Sequence, residues 1–279
     1  MQLTFQHNGI AYTCDTSRSK SLAITLDFNG AQANFFQAEK ATSKPLEMGD
    51  FVADTQTGGV CNVDCLTLTP HCNGTHTETV GHIVNEQVWI ADAVKQPLLV
   101  ASLVSVGTTP VDSSSESDTY SPKLAEADKI ISLASIQAAL KSADVKGVKP
   151  QALIVRTLPN STQKKTATYE SKTAPAFFSI EAMQAIIGAG IEHLLVDLPS
   201  VDRMHDDGLL TNHRTFWNIP PETHRLSPDA AVKRTITEMI FVEDSIQDGT
   251  YLLNLQVPSL ATDAAPSRPV IFEIAGLEC

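Results

Sequence analysis

No apolar run in the sequence approaches the roughly 18–20 residues that cross a bilayer as a helix. The most apolar stretch, Pro97 to Val106, is about strand length. The opening residues, MQLTFQHNGIAYTC, lack the basic stretch and apolar core of a secretion signal. Cysteine is scarce. The five (Cys14, Cys61, Cys65, Cys72 and Cys279) are odd in number and unevenly spaced, so no disulfide framework is expected and the cytoplasm is the expected compartment. Positive charge is in deficit too: 20 Lys and Arg face 32 Asp and Glu, for a formal net charge of −12. Such a chain repels phosphate backbones and anionic lipid, which argues against nucleic-acid and membrane partners. There is no internal repeat and no low-complexity block.

What is there suits a soluble enzyme. Hydrophobic residues make up 42% and charged residues 19% of 279 positions. That is enough chain for one large α/β domain, and we expect a single domain over 1–279. The first 70 residues favour strands and loops. Leu22 to Phe28 reads as a strand, Gly30 to Val60 as a long functional excursion, and Val63 to Thr69 as a strand. Trp89 to Ala93 and Leu98 to Val106 read as strands, and Val111 to Pro122 as a polar loop. Ser132 to Ala143 reads as a helix capped by Ser132. Gln151 to Thr157 is a buried strand, Pro159 to Pro175 a loop, Ser179 to Gly190 a helix and His193 to Asp197 a strand. Those four make a β-loop-α-β crossover. Arg234 to Val242, Gly249 to Val257 and Pro269 to Ile274 return the chain to β.

The chemistry concentrates in His71-Cys72-Asn73-Gly74-Thr75-His76-Thr77-Glu78, with His82 just beyond. Imidazole nitrogen, thiolate and carboxylate oxygen are the donors that first-row metals take. On an extended chain His76 and Glu78 share a face, and Cys72 and His82 have the same parity. A straight strand from 72 to 82 would span roughly 33 Å, so the chain must bend, and Gly74 and Gly81 allow it.

The segment resembles the cyclase-type metal hydrolases that include bacterial kynurenine formamidase and isatin hydrolase, whose motif is His-x-Gly-Thr-His-x-Asp-x-Pro-x-His. Gly74, Thr75, His76 and His82 match. Cys72, Glu78 and Val80 stand where that motif has histidine, aspartate and proline. Three further blocks resemble the family in order: Asp197-Leu198-Pro199-Ser200-Val201-Asp202 with His213 after it, Thr237-Glu238-Met239 with the Gly249-Thr250-Tyr251 run, and Asp263 to Arg268.

The resemblance implies an α/β fold: one domain with a mixed, barrel-like sheet and flanking helices, of the swivelling β/β/α type. It implies a two-metal site. Cys72 and His76 would hold one ion, Glu78 would bridge, His213 and Glu238 would hold the second, and His82 would be the general acid/base. Asp197, Ser200 and Asp202 would shape the turn or support ligands. Zinc is the expected metal, with manganese the alternative, because a thiolate at 72 is soft. His71 is the alternative ligand if a bulge shifts the register. The implied reaction is hydrolysis of a C–N amide bond in a small molecule, first an arylformamide such as N-formylkynurenine, and the implied assembly is a homodimer or homotetramer. Rival readings are ring opening of a cyclic amide, a metal- or ligand-binding protein without turnover, a hydrolase with Cys72 as nucleophile, and a zinc knuckle at Cys61, Cys65 and Cys72.

Overall fold

The computed structural model describes residues 1–111, 118–170 and 174–276. Ten strands form the main sheet: β1 (Gln2–His7), β2 (Ile10–Ser21), β3 (His76–Glu78), β4 (Leu98–Gly107), β5 (Ala152–Leu158), β6 (His193–Val196), β7 (Thr235–Glu238), β8 (Gly249–Asn254), β9 (Ala264–Pro266) and β10 (Val270–Gly276). Their spatial order is β1-β2-β10-β8-β4-β5-β6-β7-β3-β9. The central strands β4 to β7 run parallel. Every other pairing is antiparallel. Among the described residues, five α-helices accompany them: α1 (Ile90–Ala93), α2 (Leu133–Ser142), α3 (Val145–Val148), α4 (Ile180–Gly188) and α5 (Thr211–Trp217). None of the described helices is long and apolar enough to cross a membrane.

The sheet curls back on itself. Ala23, just beyond β2, bridges Ile240, just beyond β7. Phe241 N donates to Leu22 O at 2.7 Å across the same seam. Alternation along the strands then sorts the core into two sets. Leu99, Leu103, Ile154, Leu195, Leu253 and Ile271 fill the inside of the curl. Val104, Val155, Val196 and Ile236 face outward and pack beneath Ile136 of α2, Met183 of α4 and Trp217 of α5. The mixed, barrel-like α/β architecture expected from the sequence is the one observed.

The middle of the chain follows its local signals. Ser132 Oγ accepts from Ser135 N at 3.2 Å and Ser179 Oγ from Ala182 N at 3.1 Å, so both helices start where the caps place them. β5 and β6 pair in parallel, as a crossover requires.

Elsewhere the elements differ from the expectation. Leu22 to Phe28 is not a strand: β2 ends at Ser21, Leu22 and Ala23 cross to the seam, and Asp27 turns the chain by accepting from Asn29 N. Trp89 to Ala93 is a helical turn whose Ile90 N donates to Thr262 O instead of to a strand edge. β7 stops at Glu238, because Met239 takes a φ of +52° and donates to Leu198 O. Asp64–Thr67 is a strand, but it pairs with Thr42–Pro45 in a separate ribbon. The loop reading of Val111 to Pro122 falls partly outside the described residues, as does that of Pro159 to Pro175, which contains a 3-10 turn at Thr162–Thr166.

Candidate metal centre

The antiparallel register of β3 and β7 builds the floor of the site. It sets Glu238 opposite His76 and Ile236 opposite Glu78. His76, Glu78 and Glu238 therefore project to one face of the pair. On the other face Thr77 Oγ1 lies 2.8 Å from Thr237 Oγ1 and from Ser267 Oγ, tying β3 and β7 to the chain beyond β9. His76, Glu78 and Glu238 are all buried.

Each imidazole is held from behind. Gly74 takes φ +108°, a conformation natural to glycine, and its carbonyl oxygen lies 3.0 Å from His76 Nδ1. His213 rides on α5. Its Nδ1 is 2.6 Å from Asp202 Oδ2, and its Nε2 is 2.9 Å from Glu78 Oε1 and 3.7 Å from Glu238 Oε1. Asp202 in turn accepts from Tyr120 Oη and Asn212 N, each at 2.7 Å. Glu238 Oε1 accepts from Val201 N at 2.9 Å, and Oε2 is 3.5 Å from His76 Nε2. His71 reaches in from the turn before Gly74, with Nδ1 3.1 Å from Glu78 Oε2 and Nε2 2.8 Å from Asp263 Oδ2. His82 closes a 3-10 turn capped by Thr79 and stacks on His71 with ring centroids 4.2 Å apart. Its Nδ1 is 3.6 Å from Asp263 Oδ2 and 4.0 Å from Glu78 Oε2.

The donor set fits a divalent cation. Two ligands about 2.0–2.2 Å from one ion at a tetrahedral angle lie roughly 3.4 Å apart, and the histidine–carboxylate separations here run close to that. His76 Nε2 and Glu78 Oε2 are buried without a hydrogen-bond partner, which is costly for polar atoms unless something else satisfies them. Donor atoms of His71, His76 and Glu78 lie within 4.8 Å of one another, as do those of Glu78, His82 and His213, and those of His71, His82 and Asp263.

The electrostatics agree. Burial opposes ionisation of Glu78, but His213 and His82 hold its carboxyl well below the ordinary range. Burial likewise opposes charge on His213, and Glu78 and Asp202 outweigh it, holding the imidazole well above its ordinary value. His71 is pushed up to about 10 by Asp263 and Glu78, against burial. Hydrogen bonds from His71 and His82 depress Asp263. The buried carboxylates thus draw positive charge to the centre. The Cys72 thiol is raised by burial and by the neighbouring Glu238.

The model of the Cyclase family, described as a putative cyclase, matches residues 17–203. The chain belongs to this family. The match takes in the His71 to His82 segment and Asp202, while His213, Glu238 and Asp263 lie beyond it. Solved structures share the cyclase fold over nearly the whole chain. An isatin hydrolase bound to the product analogue thioisatinate is 11% identical, with 92% of each chain covered and a TM-score of 0.59. Isatin hydrolase A from Labrenzia aggregata is 11% identical, covering 91% of this chain and 93% of that one, with a TM-score of 0.57. A predicted metal-dependent hydrolase from Bacillus stearothermophilus is 13% identical, covering 91% and 98%, with a TM-score of 0.55. No curated protein matches this chain.

Of the residues singled out in the sequence, the cyclase fold gathers His76, Glu78, His82, His213 and Glu238 around one centre. Cys72 is the departure. The parity argument assumed an extended chain, but Cys72 N and Asn73 N both donate to Thr69 O in a tight turn. The thiol joins none of the donor groups above among the described residues, and His71 takes the inward position. Asp263 had no role in the sequence reading. Its signal was the Asp263 to Arg268 block, which pointed to the family but not to a contact with His71. Asp197 lies away from the centre, binding Lys164 Nζ at 2.7 Å and Thr157.

Proposed function

We propose that this chain is a metal-dependent hydrolase that cleaves the C–N bond of a small amide. The observation that carries the reading is the pair of buried atoms His76 Nε2 and Glu78 Oε2, which make no aligned hydrogen bond and face further nitrogen and carboxylate donors at 3.5 and 3.1 Å. His76, Glu78, His213 and Glu238 hold the cation. When bound, it polarises a carbonyl and acidifies water. His82 moves the proton. Its side chain is 28% exposed, at the border between the buried donors and solvent. With Nδ1 facing Asp263, its Nε2 takes the proton from attacking water and returns it to the leaving amine, a task suited to an imidazole at neutral pH. Ala33, Phe35, Met204 and Met239 form a buried apolar cluster, and Met239 follows Glu238 along the chain. An arylformamide is the first substrate class, as the resemblance to kynurenine formamidase implies. Ring opening of a cyclic aryl amide is the second, in keeping with the isatin hydrolases that share the fold.

The test is metal content by mass spectrometry on protein purified without chelator, with hydrolysis of formanilides and isatin followed before chelation, after it and after metal is restored. Bound metal and chelator-sensitive turnover are expected. Turnover that survives chelation but stops on thiol alkylation would transfer the chemistry to Cys72. Bound metal without turnover on any amide would make the protein a binding member of the fold.

A further inference from the structure

We infer that His71, backed by Asp263, is the ligand contributed by the turn before Gly74, and that Cys72 remains a free thiol. The inference rests on the metal-binding reading above and changes its donor set. The argument is a symmetry around Glu78. One carboxylate oxygen, Oε1, faces His213 Nε2 at 2.9 Å, and the far nitrogen of that ring lies 2.6 Å from Asp202. The other oxygen, Oε2, faces His71 Nδ1 at 3.1 Å, and the far nitrogen of that ring lies 2.8 Å from Asp263. Metal-bound histidines commonly carry such a carboxylate on the outer nitrogen, which sets the tautomer and aims the inner lone pair at the ion. His76 follows the same plan with the Gly74 carbonyl as its outer partner. Donor atoms of His71, His76 and Glu78 lie within 4.8 Å of one another, and the two ring centroids are 5.2 Å apart, so one cation can meet all three.

Cys72 lacks these features. The turn onto Thr69 O takes it out of register with His76, and its carbonyl is occupied by Phe35 N at 3.1 Å. With imidazole in place of thiolate the donors are nitrogen and oxygen throughout. The soft ligand that would select zinc is gone, so cobalt and manganese are also accepted, in the order of the divalent series. Asp263 then acts as a positioning residue, working through His71 and His82, both of which face its Oδ2.

Cobalt(II) loading of the full chain tests this without reference to turnover. The expected spectrum has ligand-field bands but no near-ultraviolet thiolate-to-cobalt charge-transfer band. Cobalt and zinc affinities, read by competition with a chelating dye, should be unchanged in Cys72→Ser. They should fall about 10–100-fold in Asp263→Asn, the usual loss when such a partner is removed, and further in His71→Ala. The wild-type spectrum does not depend on any variant folding. A charge-transfer band that disappears in Cys72→Ser would overturn the assignment while leaving the metal-dependent reading intact. A wild-type chain that takes up no cobalt would overturn both.

Discussion

Asp202→Asn puts the support of His213 to a direct test. Asp202 accepts four bonds: from Tyr120 Oη and Asn212 N on Oδ1, and from His213 N at 3.1 Å and His213 Nδ1 at 2.6 Å on Oδ2. The residue is buried. An asparagine keeps the shape but turns one oxygen into an NH2. If that group faces His213, it meets a backbone N–H, and the ring must accept at Nδ1, which moves its proton to Nε2 and points a donor at the cation. If the amide turns over, the NH2 meets Asn212 N–H instead. Either way one buried donor loses its acceptor, costing about 1–3 kcal/mol of stability. Metal affinity should fall about 10–100-fold, which is roughly 1.4–2.7 kcal/mol. Chelator competition and urea unfolding, each with and without metal, read the two quantities separately. Metal affinity within a factor of two of wild type would refute the claim that the Asp202 carboxylate supports His213 as a ligand.

Three further outcomes follow from the same geometry. Lys164→Met should cost about 3–5 kcal/mol in urea unfolding, because it strands the fully buried Asp197 carboxylate beside Thr157; an unchanged midpoint would show that Asp197 is neutral in the fold. His193 is buried, and burial pushes it down to about 4. Between about pH 6.5 and pH 4 the unfolded chain binds a proton there that the folded chain refuses, so its contribution is whole above about pH 6.5 and is lost as pH falls. His193→Gln should therefore flatten the acid limb of the stability curve by up to roughly 3 kcal/mol, and a wild-type-minus-variant difference that stays level with pH would contradict this. Gly74→Ala meets open space but keeps a φ of +108°, so its cost should be backbone strain alone, about 1–2 kcal/mol by thermal unfolding; complete unfolding would mean that something besides strain is lost there.

The parts of the molecule legible in the sequence are those governed by neighbours along the chain. The Ser132 and Ser179 caps announce α2 and α4, and the apolar run after Gln151 announces β5, because capping and burial patterns act over a few residues. His76 and Glu78 were legible because two residues on a strand share a face whatever lies opposite. The choice between His71 and Cys72 was not, because it depends on whether residues 69–73 extend or turn, and the turn is held by Thr69. Asp263 was illegible as a partner of His71, since the two lie 192 positions apart and the antiparallel pairing of β9 with β3 brings them together. Trp89 to Ala93 misled because Ile90 is buried in a helical turn as well as it would be in a strand.

The seam of the curled sheet bears on the order of events in folding. Thr75, next to His76, takes a hydrogen bond from Ile24 N and gives one to Met239 O, 164 positions away. The strands β3 and β7, which carry His76, Glu78 and Glu238, are therefore aligned by the same contacts that close the sheet. Contacts so distant along the chain form late, after the entropy of closing long loops has been overcome. The helices and parallel strands of the middle can assemble first, but the centre exists only once the two ends of the chain have met. On the proposed metal-binding reading, ion uptake would therefore report on complete folding, since a partly folded chain presents scattered histidines in place of a receptor.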